Sequence, residues 1–182
     1  ITKPVDVNVE YKITGRVTVK SITEGGYYTL VDDEGNKAEV RYVYTEDNAV
    51  LAQQDIVKEG DVMTVTTVVT TSQKKGGSSA YHSIYKGHYR LTATVEPAVV
   101  GYEGGDATIS VALTQNGTLG TLCAPTAIEG NMPESDFATF SYTTDAPTAT
   151  VNFAENAGAS RKVEATFKSG LAEASVVVGQ QN

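Results

Sequence analysis

Residues 10–44 read EYKITGRVTVKSITEGGYYTLVDDEGNKAEVRYVY, and this stretch decides the fold. Val9, Tyr11, Ile13, Val17 and Val19 share one parity, while Glu10, Lys12, Thr14, Arg16, Thr18 and Lys20 share the other. That period of two is the mark of a strand with one wet face. The run is long for one strand, and Gly15, with no side chain to pack, is the expected site of a bend or bulge. Glu24-Gly25-Gly26 breaks the pattern, Tyr28 and Leu30 resume it, and Asp33-Glu34-Gly35-Asn36 breaks it again before Ala38, Val40, Tyr42 and Tyr44. Three strands in a meander are predicted.

Working outward, residues 48–59 (NAVLAQQDIVKE) predict a short helix. Asn48 is its amino-terminal cap, Val50, Leu51, Ile56 and Val57 lie on one face, and Gly60 ends it. Asp61 then leads into a β-rich run, VMTVTTVVTT, to Thr71. A polar loop is expected over residues 72–87 (SQKKGGSSAYHSIYKG), followed by a fifth strand over residues 89–95. Three strands, a helix and two strands make the order of an OB-like, five-stranded Greek-key barrel. The wording agrees: GRVTVKSITEGGYYTLVDDEGN, VKEGDVMTVTTVVTT and YKGHYRL resemble the OB-fold domains of surface lipoproteins of gut Bacteroidetes. The shared pattern is G-x-V, a Tyr-x-Leu-x-Asp strand ending in a Gly turn, a Gly-Asp-x-Val strand and a Tyr-x-Gly loop.

Glu96-Pro97 marks a boundary, since Pro cannot donate to a ladder and restricts the residue before it. The expected domains are therefore a barrel over 1–95 and a second domain over 96–182. In the second, residues 107–113, 137–142, 148–153, 161–168 and 171–178 alternate as strands parted by Gly, Asn and Pro, the signs of a β-sandwich. Two pieces resemble a BACON-type immunoglobulin-like domain, a family associated with carbohydrate-active proteins of Bacteroidetes. One is residues 103–111 (EGGDATISV), with its Gly-Gly turn entering a strand; the other is residues 155–163 (ENAGASRKV), with a later Gly170 turn and a closing Val178-Gly179-Gln180. That family usually carries Trp in its middle strands and this chain has none, so sugar stacking on indole is not available to it. The whole is expected to be all-β.

Charge separates the halves. Residues 1–95 hold eight Lys and three Arg against twelve acidic side chains, a net of −1, and residues 96–182 hold three basic against ten acidic, a net of −7. A chain at −8 overall is a poor match for a phosphate backbone, whose affinity rests on Lys and Arg displacing counterions. No run approaches the roughly 20 apolar residues of a membrane-spanning helix. One Cys, Cys123, excludes an internal disulfide, and with only two His it is too sparse for a structural zinc site; a small half-buried thiol is expected. Ile1 is preceded by no Met or leader, which reads as a mature or truncated product.

No catalytic, metal or cofactor constellation is expected. Asp32, Asp33 and Glu34 lack the alternating spacing of a calcium loop and read as a solvated turn. Asp145, Glu155 and Glu164 read as a charged sandwich rim, and Asn116-Gly117-Thr118 as a hairpin turn. His82 and His88 have no G-x-S-x-G turn near them, although a small hydrolase would have to use one of them. The sharpest constellation is the expected loop with Lys74, Lys75, Tyr81, His82, Tyr85 and His88, joined by Tyr27 and Arg41 on the wet face of the second and third strands. Cations interleaved with rings suit sugars, by stacking, or single-stranded nucleic acid, by stacking with phosphate contact. The alternative is that Tyr81 and Tyr85 cover a barrel mouth while the lysines keep the loop soluble. The resemblance implies an exported cell-surface or periplasmic module for adhesion, glycan binding or spacing. It also implies a glycan or surface protein as partner and a lipid anchor upstream of Ile1.

Overall fold

The computed structural model describes residues 7–23, 26–72, 77–120 and 123–182, without the side chains of residues 7–9, 68–72 and 77–82. Lys74 and Lys75, and the side chains of Tyr81 and His82, thus lie outside the described residues. The chain forms two compact units, one of Ile1–Arg90 with Gln115–Ala124 and one of Leu91–Thr114 with Pro125–Asn182. Pro97 follows the first unit's Arg90 by a few residues, and residues 115–124, which open on the Asn116-Gly117 turn signal, return to that unit.

The first unit is a set of antiparallel strands: β1 (Val7–Ser21), β2 (Tyr27–Val31), β3 (Lys37–Arg41), β5 (Val62–Ser72) and, as far as Arg90, β6 (Gly77–Glu96), with a two-residue β4 (Val43–Tyr44). β1 is long because it serves two partners. Its residues from Val7 to Arg16 pair with β5, and those from Arg16 to Ser21 pair with β2. β2 pairs with β3, β5 with β6, and β4 pairs parallel with β6 through Val43↔Ser83 and Tyr44↔Ile84. Inside lie Val17, Tyr28, Leu30, Val40, Val43, Leu51, Val57, Met63 and Val65, drawn from five strands plus the connection between β4 and β5.

Four expectations are corrected here. The irregularity in β1 falls between Val17 and Val19, not at Gly15. One extra residue flips the parity that follows, so Val19 is 40% exposed although Val17 is buried. Gly15 is required for a different reason: a Cβ there would stand 2.8 Å from the Val31 carbonyl oxygen, where β1 changes partner. Tyr42 leaves the inward parity because its φ is +53°, which kinks the chain between β3 and β4 and leaves the ring 41% exposed.

The helix expected over residues 48–59 is only a 3-10 turn, Leu51–Gln53. Asn48, at φ +68°, does not cap it; Thr45 closes a tight turn there by accepting from Ala49 N at 3.0 Å and engaging Asp47. Asp55, at φ +49°, stops any extension, so a single turn buries Leu51 and Ala52. A run this short cannot repay helix nucleation on propensity alone. Of the loop expected over residues 72–87, Ser72 and residues 77–87 belong instead to a ladder, since β5 and β6 stay paired from Val62↔Tyr89 to Ser72↔Gly77. A Gly- and Ser-rich strand of low intrinsic preference is held there by cross-strand pairing.

The second unit carries two sheets. In one, β8 (Gly105–Gly117) pairs with β11 (Thr148–Phe153), and β11 with β10 (Ala138–Ser141). The other has the order β7 (Val99–Val100), β13 (Ala172–Gln180), β12 (Arg161–Ser169) and β9 (Glu129–Asn131), with β7 parallel to β13. All five strands expected in this half are present, and the two short ones, β7 and β9, have too few residues to show a period. Asn116 and Gly117 end β8 instead of forming a hairpin of their own. Ile109, Val151, Phe153, Ala165, Phe167 and Val178 fill the interior, and the Tyr142 ring meets Phe167 edge-on at 5.2 Å. Gly130 makes that contact possible, because a Cβ there would lie 2.7 Å from the Tyr142 ring and 2.8 Å from the Phe167 ring.

Gly130→Ala is accordingly expected to cost about 1–3 kcal/mol by overpacking. The measurement is the urea midpoint of the second unit, with ring resonances of Tyr142 and Phe167 shifting; an unchanged midpoint would contradict the packing described.

Candidate functional site

Asp61 is 1% exposed at the start of β5, and a buried carboxylate needs partners. It has them: Arg90 donates from Nε and Nη2 at 2.6 Å each to its two oxygens, and the backbone N–H of Lys58 donates at 2.8 Å. The second guanidinium function is to donate from Nη2 to the Ile56 carbonyl at 3.3 Å. This fork holds the Arg90 pKa above its ordinary value, chiefly through the hydrogen bond to Asp61.

His88, 8% exposed, sits beside this pair with Nε2 at 3.9 Å from the Asp61 Oδ2. Its Nδ1 is 2.7 Å from the Tyr85 hydroxyl. With Nε2 turned to the carboxylate the ring proton belongs there, so the Tyr85 O–H donates to Nδ1. Burial pushes the His88 pKa down; Asp61 opposes this and Arg90 reinforces it. Burial likewise raises the Tyr85 phenol. Tyr28, deeper in the same core, has a hydroxyl with no hydrogen-bond partner among the described residues, and its pKa is raised by burial first and by Tyr85 second.

The order Asp61, His88, Tyr85 mimics an acid, a base and a nucleophile, but the distances deny that role. The carboxylate is saturated by Arg90 and lies too far from His88 to orient it, and a phenol with a raised pKa is a poor nucleophile. The arrangement is a structural lock.

The residues singled out in the sequence therefore separate. Tyr85 and His88 meet each other, but they point into the first unit's interior, where Tyr85 packs on the core. Tyr27 and Arg41 meet on the opposite, outer face as directly paired residues of β2 and β3, with the guanidinium 6.0 Å from the ring centroid. Arg41 Nε also donates to Glu39 at 2.7 Å. The backbone of Tyr81 and His82 runs in β6, with His82 opposite Val68. Lys86, which the reading passed over, bonds Glu46 at 3.1 Å and lines a shallow hollow of about 400 Å³ with Lys12 and Thr118.

The remaining residues singled out in the sequence have ordinary surroundings. Asp32 caps its own turn, accepting from the N–H groups of Glu34 and Asn36 and from the Asn36 side chain, which lowers its pKa. Among the described residues no group of three or more His, Cys, Asp or Glu could hold a metal ion. Cys123 is half-buried, and burial raises its thiol pKa. Asp145, Glu155 and Glu164 are exposed. No helix among the described residues is long and apolar enough to cross a membrane, which says nothing of a β-barrel.

No protein-family model and no curated protein matches this chain. Among solved structures it is similar to domains 4 and 5 of the S-layer protein SbsC, at 18% identity over 85% of this chain and 91% of that one, with a TM-score of 0.35. It is similar to the D00-D0 domain of intimin at 14% identity, over 93% and 92% of the two chains, with a TM-score of 0.32. The likeness to the four amino-terminal immunoglobulin domains of Dscam1 is 10% identity and a TM-score of 0.31, over 97% of this chain but only 40% of that one. Scores this low carry no argument about this chain.

Two outcomes follow from the lock. Removing the cation by Arg90→Met strands the buried Asp61 and is expected to destabilise the first unit by about 3 kcal/mol, read from urea unfolding. A loss below about 1 kcal/mol would show that Asp61 is solvated. His88 has a folded pKa below its unfolded value near 6.5. The unfolded chain therefore takes up the proton first, and stability is full above that value and lost as pH falls through it toward the folded pKa. Between pH 7.5 and 5.5 the melting temperature should fall, and His88→Gln should flatten the fall; a variant with the same slope as the parent would remove His88 from the account.

Proposed function

We propose that the chain is a non-catalytic binding or spacer module of an exported, cell-surface protein, with an OB-like first unit that offers the outer face of β2 and β3 to carbohydrate. The strand pairing supports the OB-like reading: a β1–β2–β3 meander, β5 on β1, β6 on β5, and a parallel return of β4 onto β6. The sandwich of the second unit supports an immunoglobulin-like, BACON-type partner domain. The quoted sequence motifs support the setting in a surface lipoprotein.

The observation that carries the reading is the Tyr27–Arg41 pair. A flat ring and a flat cation lie side by side on an outer sheet face, where a sugar ring can stack while its hydroxyls accept from the guanidinium. Lys37 and Glu39 continue that row on β3 as polar, exposed side chains. A non-catalytic role agrees with the buried lock, whose titratable groups are committed to one another.

The test is amide shift mapping of the labelled chain with a pool of soluble glycans and, separately, a mixed-sequence single-stranded oligonucleotide at two salt concentrations. Shifts at Tyr27 and Arg41 with glycans are expected, little changed by salt. Tyr27→Ala should weaken binding by about 3- to 10-fold, the worth of one stacked ring. Salt-sensitive shifts with the oligonucleotide alone would replace this reading with nucleic-acid binding. Cleavage of a glycan in the tube would overturn the non-catalytic claim.

A further inference from the structure

In the second unit, β12 is covered unequally on its two sides. Toward β13 it is paired throughout, from Arg161↔Gln180 to Ser169↔Ala172. Toward β9 it is paired only at Thr166, Phe167 and Lys168. β9 stops at Asn131 because Met132-Pro133 follows, and Pro has no N–H to continue a ladder. Among the described residues no strand is bonded to residues 162–165 on that side, where alternate residues turn N–H and C=O away from β13. Beside this edge lies a hollow of about 440 Å³. Phe137, with the Arg161 guanidinium 4.4 Å from its ring centroid, and Val163 supply its floor, and Glu134, Asp136 and Glu164 line it against Lys162.

We infer that this edge accepts an extended segment of a partner protein, one that pairs with residues 162–165 and carries Lys or Arg on either side of an apolar residue. The edge is four residues long, about 13 Å, which is a usual length for strand addition. The hollow takes the apolar side chain, and the three carboxylates meet the flanking cations. A second copy of this chain is the poorer occupant: pairing about Val163 would set Lys162 opposite Glu164, but the two hollows together bring six lining carboxylates against two lining lysines. The inference concerns the second unit alone and goes beyond the carbohydrate reading of the first.

The experiment titrates the labelled 182-residue chain with an acetylated, amidated hexapeptide alternating Lys and Val, and with its Glu-Val counterpart. Shifts and slowed amide exchange at residues 162–165 are expected with the Lys peptide only. A doubly reversed variant, Glu134→Lys with Asp136→Lys, changes exposed positions and should weaken that peptide by about tenfold while leaving shifts outside the segment unchanged. The inference is overturned by silence at residues 162–165 up to millimolar peptide, by equal response to both peptides, or by indifference to the charge reversal. A concentration-dependent dimer in sedimentation that the reversal abolishes would also overturn it, since the edge would then serve self-association.

Discussion

A carboxylate taken out of water is the constraint on which the first unit depends. Asp61 is buried where the chain enters β5, and Arg90 forks onto both of its oxygens from β6. The backbone of the same residue accepts from Val17 N at 2.8 Å, and the preceding Gly60 N donates to Val17 O at 2.8 Å. One residue thus fixes three things: the middle of β1, the start of β5 and the register of β6. Arg90 extends the grip to Ile56, which pins the connection that the 3-10 turn alone could not hold. A desolvated ion pair adds little net stability, but any register that separates its members is heavily penalised, so it acts through specificity.

The second unit reaches the same end with neutral groups. Gln180, 1% exposed, donates to the carbonyls of Ala154 and Gly101 and accepts from Arg161 Nε at 2.8 Å. Asn156 donates to Ala159 and Gln181 and accepts from Gly158 N. The Arg161 guanidinium covers the Phe137 ring at 4.4 Å. These are the residues of the Asn-x-x-x-x-Arg and closing Val-x-Gln patterns. In the Gly-Asp-x-Val pattern of the first unit Gly60 and Asp61 are present and Met63 stands where the pattern has Val, and the Tyr-x-Gly pattern ends in Gly87, where a Cβ would stand 2.5 Å from the Asn116 carbonyl. The recognisable motifs are therefore devices for holding strands, and they describe architecture without naming a ligand.

This explains what was legible. Alternation located β2, β3, β8, β11, β12 and β13, because burial on one face writes a period of two into any strand of five or more residues. It misplaced what depends on a single backbone angle: the bulge after Val17, the kink at Tyr42 and the left-handed Asn48 and Asp55 leave no period. The Gly- and Ser-rich half of β6 read as loop because its pairing is imposed by β5. Of the candidate site, the Tyr27–Arg41 neighbourhood followed from parity, since both belong to outward positions of adjacent strands. The inward turn of Tyr85 and His88 did not follow, because the core they join is assembled from residues of β1, β2 and β5 that are remote in sequence and meet them only once β5 and β6 are paired.

Asp61, Arg90, His88, Gln180 and Asn156 are committed to the fold, so the proposed recognition has to use exposed groups. On the outer face the choices are half-exposed rings and cations with water for competition, and each such contact is worth about 1 kcal/mol. A face built this way binds weakly at a single site. Under the carbohydrate reading proposed above, affinity for a polymer would come from repetition, because a second contact on the same polymer is made at high effective concentration. A fold whose stability is independent of its outer face suits that arrangement, because residues such as Tyr27 and Arg41 can be exchanged without disturbing the lock beneath them.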